Sequence, residues 1–361
     1  MAGDDSQNER EPYNRELIDP PASIVCDGLF VLGCFNGPVE RANMLDVERP
    51  YHYAVPRWVK DYRCKRWRAF QFGNSRWFFF TMLQEIQHFG FAHFSAYDKE
   101  RGRFYTLKRI VPLSRFGINE RLDGEHIGYH SAHAHIEYAY DLSGGAITLD
   151  TSSMRRQRRR TFAGSFSFAY NSRQSAPSTV CLPFGLNRAM YSTKVLMPMQ
   201  GWFEADGERF EFKAPDSMGV MDDSKGFYPY RMRHDRVVGF GTDSKGRRVG
   251  FNLTDNQVRD QLIYNENVLW INSRVFPLPP IKVTTPNGPE NAWHIQDTEG
   301  LVDLAFKPER HNDTKLNLLV TSMDNHVPFG SFEGLLRSPD GGEKVDAKGL
   351  YGMGEQRYLR A

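Results

Sequence analysis

The chain has 361 residues, of which 40% are hydrophobic and 25% are charged, a composition typical of a soluble globular protein of about two domains. Its 46 basic and 44 acidic side chains leave a formal net charge of +2, so overall charge gives no attraction to nucleic acid or to an anionic membrane. Aromatic residues make up 13% of the chain, which favours a β-rich fold with a thick core or a cavity.

The amino-terminal segment is polar and charged and lacks the apolar core of a signal peptide. We therefore expect a disordered tail over residues 1–22. No stretch approaches the roughly 20 apolar residues that a membrane helix needs, so we expect no integral membrane segment and a cytoplasmic location. The four cysteines show neither a CxxC pair nor a zinc-ligand spacing, and we expect reduced thiols.

Turn signals recur at short intervals along the rest of the chain, and strand-like runs lie between them. They include Asn36-Gly37, Ser143-Gly144-Gly145, Asp206-Gly207, Asn287-Gly288 and Asp340-Gly341-Gly342. Helical periodicity is limited to short segments at 58–63 and 256–264. Regular turns without long helices predict an antiparallel all-β architecture, either a sandwich or a barrel.

Two hairpin-like segments, 94–110 and 238–253, share a strand, a charged glycine turn, a basic residue and a second strand. If they reflect a duplication, the chain divides near Lys194, where prolines and glycines interrupt the pattern. We therefore predict a first β-lobe over 23–193 and a second over 194–361. The sequence does not predict an oligomeric state.

Residues 154–160, MRRQRRR, contain five arginines. A nucleic-acid patch is conceivable, but the run has no interleaved aromatic residues for base stacking. We interpret it as a solvated turn or strand edge and expect no nucleic-acid partner.

Four histidines and one glutamate lie within twelve residues: His126, His130, His133, His135 and Glu137. On a strand, residues two apart share a face, so the last three side chains would project together and could bind a metal ion, as in cupin-type enzymes. A half-exposed strand face with hydrogen-bonded histidines is the interpretation we favour. We expect no cofactor, and a metal site remains an alternative.

The segment 217–256 is rich in strand patterns and in charge. The tetrapeptide Asp-Ser-Lys-Gly occurs at 223–226 and 243–246, and the second copy separates two strand-like runs as in a β-hairpin. Charged and proton-exchanging side chains are frequent here and in the polar segment 265–267. We predict that at least two members of one catalytic group meet at a single site: Asp222, Arg231, His234 and Glu266.

A carboxylate held against an arginine would stay ionised, and a nearby histidine could pass a proton. The alternative is a structural ion pair between Arg231 and Asp222 that only stabilises a turn. We also expect aromatic residues of these segments to line a ligand cavity larger than roughly 300 Å³: Tyr228, Tyr230, Phe240 and Trp270.

Several segments resemble the microbial family known as domain of unknown function 2804, with a match over about residues 25–358. The most specific are 225–231 (KGFYPYR), 246–252 (GRRVGFN) and 266–270 (ENVLW). The chain departs from the family pattern where His234 and Arg236 replace tryptophans. A more remote similarity to carotenoid hydratases and tocopherol cyclase implies two packed lipocalin-like β-barrels with a ligand cavity.

These observations lead to one main hypothesis and two alternatives. The main hypothesis is a protein that binds an apolar or amphipathic small molecule of the lipid or isoprenoid kind, with cofactor-free acid–base chemistry such as hydration or cyclisation left open. One alternative is a passive lipid carrier. The other is a cupin-like metalloenzyme that uses the His133/His135 pair.

Overall fold

The structure, a computed structural model, describes residues 13–86, 89–112, 116–154, 161–317 and 322–360. Within these ranges its regular elements are one α-helix, α1 (Arg57–Arg63), one 3₁₀ turn (Met44–Asp46) and strands. The predicted all-β fold with few short helices is confirmed. Among the helices of these ranges, none combines the length and the apolar character needed to cross a membrane.

The first part of the chain forms a short ribbon and a large antiparallel sheet. The ribbon consists of β1 (Val25–Cys26) and β2 (Leu29–Phe30). The large sheet, here called the first sheet, consists of β3 (Gly33–Phe35), β4 (Lys65–Gly73), β5 (Trp77–Ile86), β6 (Phe89–Asp98), β7 (Arg103–Pro112), β8 (His126–Ser131), β9 (Ala134–Asp141), β10 (Ala146–Ser153), β11 (Phe162–Ala169), β12 (Pro177–Gly185), β13 (Arg188–Ala205), β14 (Glu208–Phe212) and β15 (Met218–Gly226).

The remaining strands form the second sheet, which is also antiparallel. It consists of β16 (Arg231–Thr242), β17 (Arg248–Asp255), β18 (Val268–Ile271), β19 (Arg274–Pro277), β20 (Ile281–Thr284), β21 (Trp293–Asp297), β22 (Val302–His311), β23 (Thr314–Asn317), β24 (Ser322–His326), β25 (Pro328–Arg337), β26 (Lys344–Asp346) and β27 (Tyr351–Arg360). The hairpin predicted from the second Asp-Ser-Lys-Gly copy is β16–β17, and Gly246 in its turn has a φ of 74°.

Each sheet curls around its own apolar core, and a third core lies between the two sheets. Strand β4 shows how the alternation of side chains divides them. Phe70 and Phe72 face the core of the first sheet, whereas Trp67 and Ala69 face the core between the sheets. Because the central strands are buried on both faces, their sequences lack a simple alternation of apolar and polar residues.

Lys194, expected at the boundary between two lobes, lies inside the long strand β13. Strands β14 and β15 still pair within the first sheet, and the second sheet begins at Arg231. Strand pairing therefore changes from one sheet to the other at 227–230. The prolines and glycines near 183–201 that suggested a boundary are accommodated within strands β12 and β13.

Two local predictions need correction. The first Asp-Ser-Lys-Gly copy, 223–226, is part of β15 and not a turn, because these side chains are buried and the backbone pairs with β4 and β13. Residues 256–264 form turns without a helix. Residues 155–160 of the arginine run lie outside the described residues. Residues 1–12 of the tail that was expected to be disordered also lie outside them. Arg15 is buried and donates to the carbonyl oxygen of Asn265 at 2.7 Å.

Candidate functional site

A small cavity of about 40 Å³, lined by both apolar and charged side chains, lies between the two sheets. The first sheet supplies β4, β5, β12, β13 and β15, and the second supplies β16, β17 and β27. Its walls contain seven buried acidic or basic side chains: Lys194, Asp222, His234, Arg236, Glu266, Glu355 and Arg357. We call this space the inter-sheet cavity.

Asp222, which lines this cavity, links the two sheets. It lies on β15 directly opposite Lys194 of β13. Its Oδ2 accepts a hydrogen bond from Arg236 Nη1 of β16 at 2.6 Å, and its Oδ1 accepts one from Ser224 Oγ at 2.8 Å. Lys194 Nζ lies 3.7 Å from Asp222 Oδ1. The carboxylate is therefore paired with one cation from each sheet.

Glu266, just before β18, is the second carboxylate. It forms an ion pair with Lys194, whose Nζ also donates to Ser192 Oγ at 2.5 Å. Arg236 Nε donates to Asn252 Oδ1 at 2.6 Å. Lys194 thus bridges Asp222 and Glu266, so the two carboxylates belong to one network.

The third carboxylate, Glu355 on β27, sits between a histidine and an arginine. Its Oε2 lies 3.3 Å from His234 Nε2, and its Oε1 lies 2.5 Å from Arg357 Nη2. Strand register produces this arrangement, because His234 on β16 is opposite Arg357, and Arg236 is opposite Glu355. An imidazole beside a carboxylate is a common arrangement for proton exchange.

The three carboxylates are held in the ionised form. Burial raises the pKa of Asp222, but the positive charges of Lys194 and Arg236 outweigh it and place that pKa below 3.8. Burial likewise raises the pKa of Glu266, and the same two cations lower it below 4.5. The pKa of Glu355 is also lowered, since Arg357 and His234 overcome the effect of burial. The network therefore contains three negative and three positive side chains, plus His234.

These shifts predict acid sensitivity. A carboxyl group whose pKa is lower in the folded state stabilises the fold fully above its unfolded pKa, and that contribution is lost as the pH falls through the folded pKa. We expect the free energy of unfolding, measured with urea, to fall from about pH 4.5 downward. The fall should be smaller in Asp222→Asn, which lacks one such group. Identical pH profiles for the two proteins would contradict this assignment.

Some buried polar atoms at the cavity have no hydrogen-bond partner among the described residues. They include Tyr228 Oη, Arg236 Nη2 and both amide atoms of Gln71. The three side chains are 5%, 7% and 1% exposed and all line the cavity. Burial raises the pKa of Tyr228, as do the negative charges of Glu266 and Asp222, so its hydroxyl stays protonated. Buried polar groups in proteins are normally paired with protein, water or ligand.

An apolar pocket of about 400 Å³ lies beside the inter-sheet cavity. Phe80, Met82 and Arg357 line both spaces. Its other walls come from β6, β7, β23, β24 and the segments that flank them: Phe91, Ala92, His93, Lys108, Arg109, Ile110, Asn312, Thr314, Met323, Asn325 and Val327. The pocket exceeds the roughly 300 Å³ at which ligand sites begin, whereas the cavity does not. We call this space the apolar pocket.

The sequence profile of DUF2804, a domain of unknown function, matches residues 14–360. The chain belongs to this family. Among solved structures, the DUF2804 chain is similar to a candidate AttH protein of Nitrosomonas europaea, with 12% identity and a TM-score of 0.45 over 83% of this chain and 93% of the other. It is also similar to kievitone hydratase of Nectria haematococca, with 11% identity and a TM-score of 0.47 over 90% of this chain and 97% of the other. A search of curated proteins found no match.

In the DUF2804 chain, three of the four predicted catalytic residues, Asp222, His234 and Glu266, line the inter-sheet cavity. Arg231 does not, because it is exposed at the start of β16. The arginine that pairs with Asp222 is Arg236, so the proposed Arg231–Asp222 pair is not formed.

The predicted ligand-binding aromatics occupy different environments. Tyr228 lines the inter-sheet cavity, whereas Tyr230, two residues later, is 47% exposed. Phe240 packs against Phe78 in the core between the sheets, with ring centroids 5.8 Å apart. Trp270 is fully buried in the same core, and its indole nitrogen donates to the carbonyl oxygen of Ala176. Neither Phe240 nor Trp270 lines the cavity or the apolar pocket.

Sequence reasoning missed Lys194, Arg236, Glu355 and Arg357 as site residues. Lys194 could have been noticed, because it is a charged residue that directly precedes the apolar run 195–199. Arg236 was noted only as a departure from the family pattern. Glu355 and Arg357 alternate with small or polar residues near the chain terminus and carry no distinctive local signal.

The three side chains of the metal-site alternative do not share one strand face. His133 lies in the exposed turn between β8 and β9, so it does not share a strand face with His135 and Glu137. His135 Nδ1 lies 3.0 Å from Ser152 Oγ, and the partly exposed Glu137 lies 3.8 Å from His130 Nε2. In the part of the chain that the structure describes, no group of three or more histidine, cysteine or acidic residues is arranged to hold a metal ion.

A second buried charged cluster lies on the opposite face of β15. Arg68 pairs with both Glu125 and Asp223, and Lys225 Nζ lies 3.4 Å from Asp223 Oδ2. Burial lowers the pKa of Lys225, and the charges of Arg68 and Arg66 lower it further. Asp223 and Lys225 of the tetrapeptide therefore face away from the inter-sheet cavity.

Proposed function

We propose that this protein binds an amphipathic small molecule between its two sheets. The apolar body would occupy the apolar pocket, and the polar end would enter the inter-sheet cavity. The observation that carries the proposal is the direct adjacency of these spaces, which share Phe80, Met82 and Arg357 as walls. An apolar pocket with a few convergent polar groups is the usual form of a small-molecule site.

The buried charges support a functional interpretation over a purely structural one. A buried ion-pair network contributes little to net stability compared with apolar packing of the same volume, because both charges must leave water. Here such a network interrupts the apolar core between the sheets, where Val220 and Leu196 are close in sequence to Asp222 and Lys194. Perturbed ionisable groups beside a pocket are frequent at functional sites.

The same groups could support acid–base chemistry without a cofactor, such as hydration or cyclisation. The Tyr228 hydroxyl, which stays protonated, could donate a hydrogen bond to negative charge that develops on the ligand, and the His234 imidazole beside ionised Glu355 could exchange a proton with the ligand. A passive lipid carrier would need only an apolar lining. The charged cavity therefore favours a binding protein with chemical capability over a carrier.

An apolar dye provides a direct test. Nile red, an uncharged dye, should bind the full chain with increased fluorescence. Ile110 is 49% exposed and lines the apolar pocket, so Ile110→Asp should weaken binding at least ~10-fold by placing a carboxylate against the ligand body. Leu29→Asp, at a 58% exposed site away from both spaces, is the matched control and should bind as the wild type.

Equal dye affinity in the wild type and Ile110→Asp would show that the dye binds elsewhere and would count against the pocket. Native mass spectrometry of the freshly purified chain should also reveal a co-purified small molecule. Its occupancy should fall in Ile110→Asp but not in Leu29→Asp.

A further inference from the structure

We infer that the polar end of the ligand is an uncharged oxygen group, a carbonyl or a hydroxyl, held by Tyr228 and Arg236 in the inter-sheet cavity. This inference rests on the proposed function and specifies the class of ligand. It follows from the charge balance, the unpaired polar atoms and the size of the cavity.

The charge balance argues against an ionic ligand group. Apart from His234, which lies beside Glu355, the three buried basic side chains of the cavity are matched by the three buried acidic ones, and each acid already has a basic partner. A carboxylate ligand would add a fourth negative charge to a buried, low-dielectric space, and an ammonium would add a fourth positive charge. Burial of an unpaired charge is strongly unfavourable, whereas an uncharged group leaves the balance intact.

The unpaired atoms point to an oxygen ligand. Tyr228 Oη and Arg236 Nη2 are donors without a hydrogen-bond partner among the described residues, although both side chains are more than nine-tenths buried. A carbonyl oxygen has two lone pairs and so can accept two hydrogen bonds. The amide of Gln71, also unpaired, offers both a donor and an acceptor, so a hydroxyl group would be satisfied as well.

The volumes of the two spaces indicate a ligand with a small polar head group and a larger apolar body. The inter-sheet cavity of about 40 Å³ accommodates an oxygen-bearing group of a few atoms, whereas the adjoining pocket of about 400 Å³ suits an apolar chain or ring system. Met82 forms part of the wall between them. An unbranched methionine can change rotamer with little disturbance to its surroundings, which would connect the two spaces.

Four probes of matched length distinguish the head groups: decan-2-one, decan-2-ol, decanoate and decyltrimethylammonium. Isothermal titration calorimetry with the full chain should give dissociation constants for the ketone and the alcohol at least ~10-fold lower than for either ion. One buried hydrogen bond accounts for about ten-fold in affinity, and an unbalanced buried charge costs more than that. Tyr228→Phe should weaken ketone binding about ten-fold while leaving binding of the ions unchanged.

Tyr230→Phe is the matched control, because Tyr230 is exposed, and it should bind the ketone as the wild type does. Thermal unfolding of both variants checks that the fold is retained. Either of two results would overturn the inference about the head group: equal binding of all four probes, or tightest binding of decanoate. If Ile110→Asp weakens the binding of all four probes in that case, the proposal that the apolar pocket binds the ligand is still supported. If no probe binds and Nile red does not bind either, the proposed function itself is overturned.

Discussion

Replacement of Asp222 by alanine is expected to lower the free energy of unfolding by about 3–5 kcal/mol. The carboxylate is 1% exposed and pairs with Arg236 of the other sheet and with Lys194 of its own. Removing it leaves two buried cations without their shared partner, and the uncompensated charge is the main source of the loss. Urea unfolding at neutral pH measures the change.

An exposed carboxylate in an ion pair is the control. Asp324 pairs with Lys315 at 2.9 Å, but its side chain is 39% exposed, so Asp324→Ala should cost less than about 1 kcal/mol. A double variant, Asp222→Ala with Arg236→Met, should recover part of the loss, because one unpaired cation is removed. A loss below 1 kcal/mol for Asp222→Ala would show that the buried pairs are not formed in solution.

The second large effect concerns Trp270, which the sequence suggested as a ligand contact. Trp270→Ala is expected to lower the free energy of unfolding by about 3–5 kcal/mol, because a large side chain with no exposed surface is removed from the core between the sheets. The carbonyl oxygen of Ala176 also loses its indole donor. Chemical denaturation followed by circular dichroism measures the change.

Tyr230→Ala, at an exposed aromatic position, should change stability by no more than about 0.5 kcal/mol. The milder Trp270→Phe should keep Nile red affinity close to that of the wild type under conditions where the chain is folded. Loss of dye binding without loss of stability in Trp270→Phe would place this residue at the ligand site after all.

The fold was predictable from the sequence because turns leave local signals. The segment at 243–246 shows this: Asp243 accepts backbone hydrogen bonds from Lys245 and Arg247, and Gly246 supplies the positive φ. The other copy of the same tetrapeptide became a strand, because buried partners such as Arg68 satisfy its charges. Local sequence therefore gives turn propensity, and tertiary contacts decide whether the turn forms.

The candidate site was only partly predictable. Asp222, His234 and Glu266 stood out as charged residues among strands. Which arginine pairs with Asp222 could not be predicted, because it depends on where β16 begins after the connection 227–230. Arg231 begins the strand in solvent, and Arg236 reaches the buried section. The pairing of Lys194 with Glu266 joins residues 72 positions apart and leaves no local trace. Aromatic character likewise does not reveal whether Trp270 faces a cavity or a packed core.

The central strand β15 carries charge on both of its faces, and this constrains how it can be aligned. Because both faces are buried, apolar alternation does not specify its position between β4 and β13. A slip by one residue in one direction would bring Lys225 to the place of Ser224, which sets another cation beside Lys194. A slip in the opposite direction would bring Met221 to the place of Asp222, which removes the counterion of Arg236. Asp223 would take the other of the two places in each case. Electrostatic matching thus disfavours both one-residue slips of this strand.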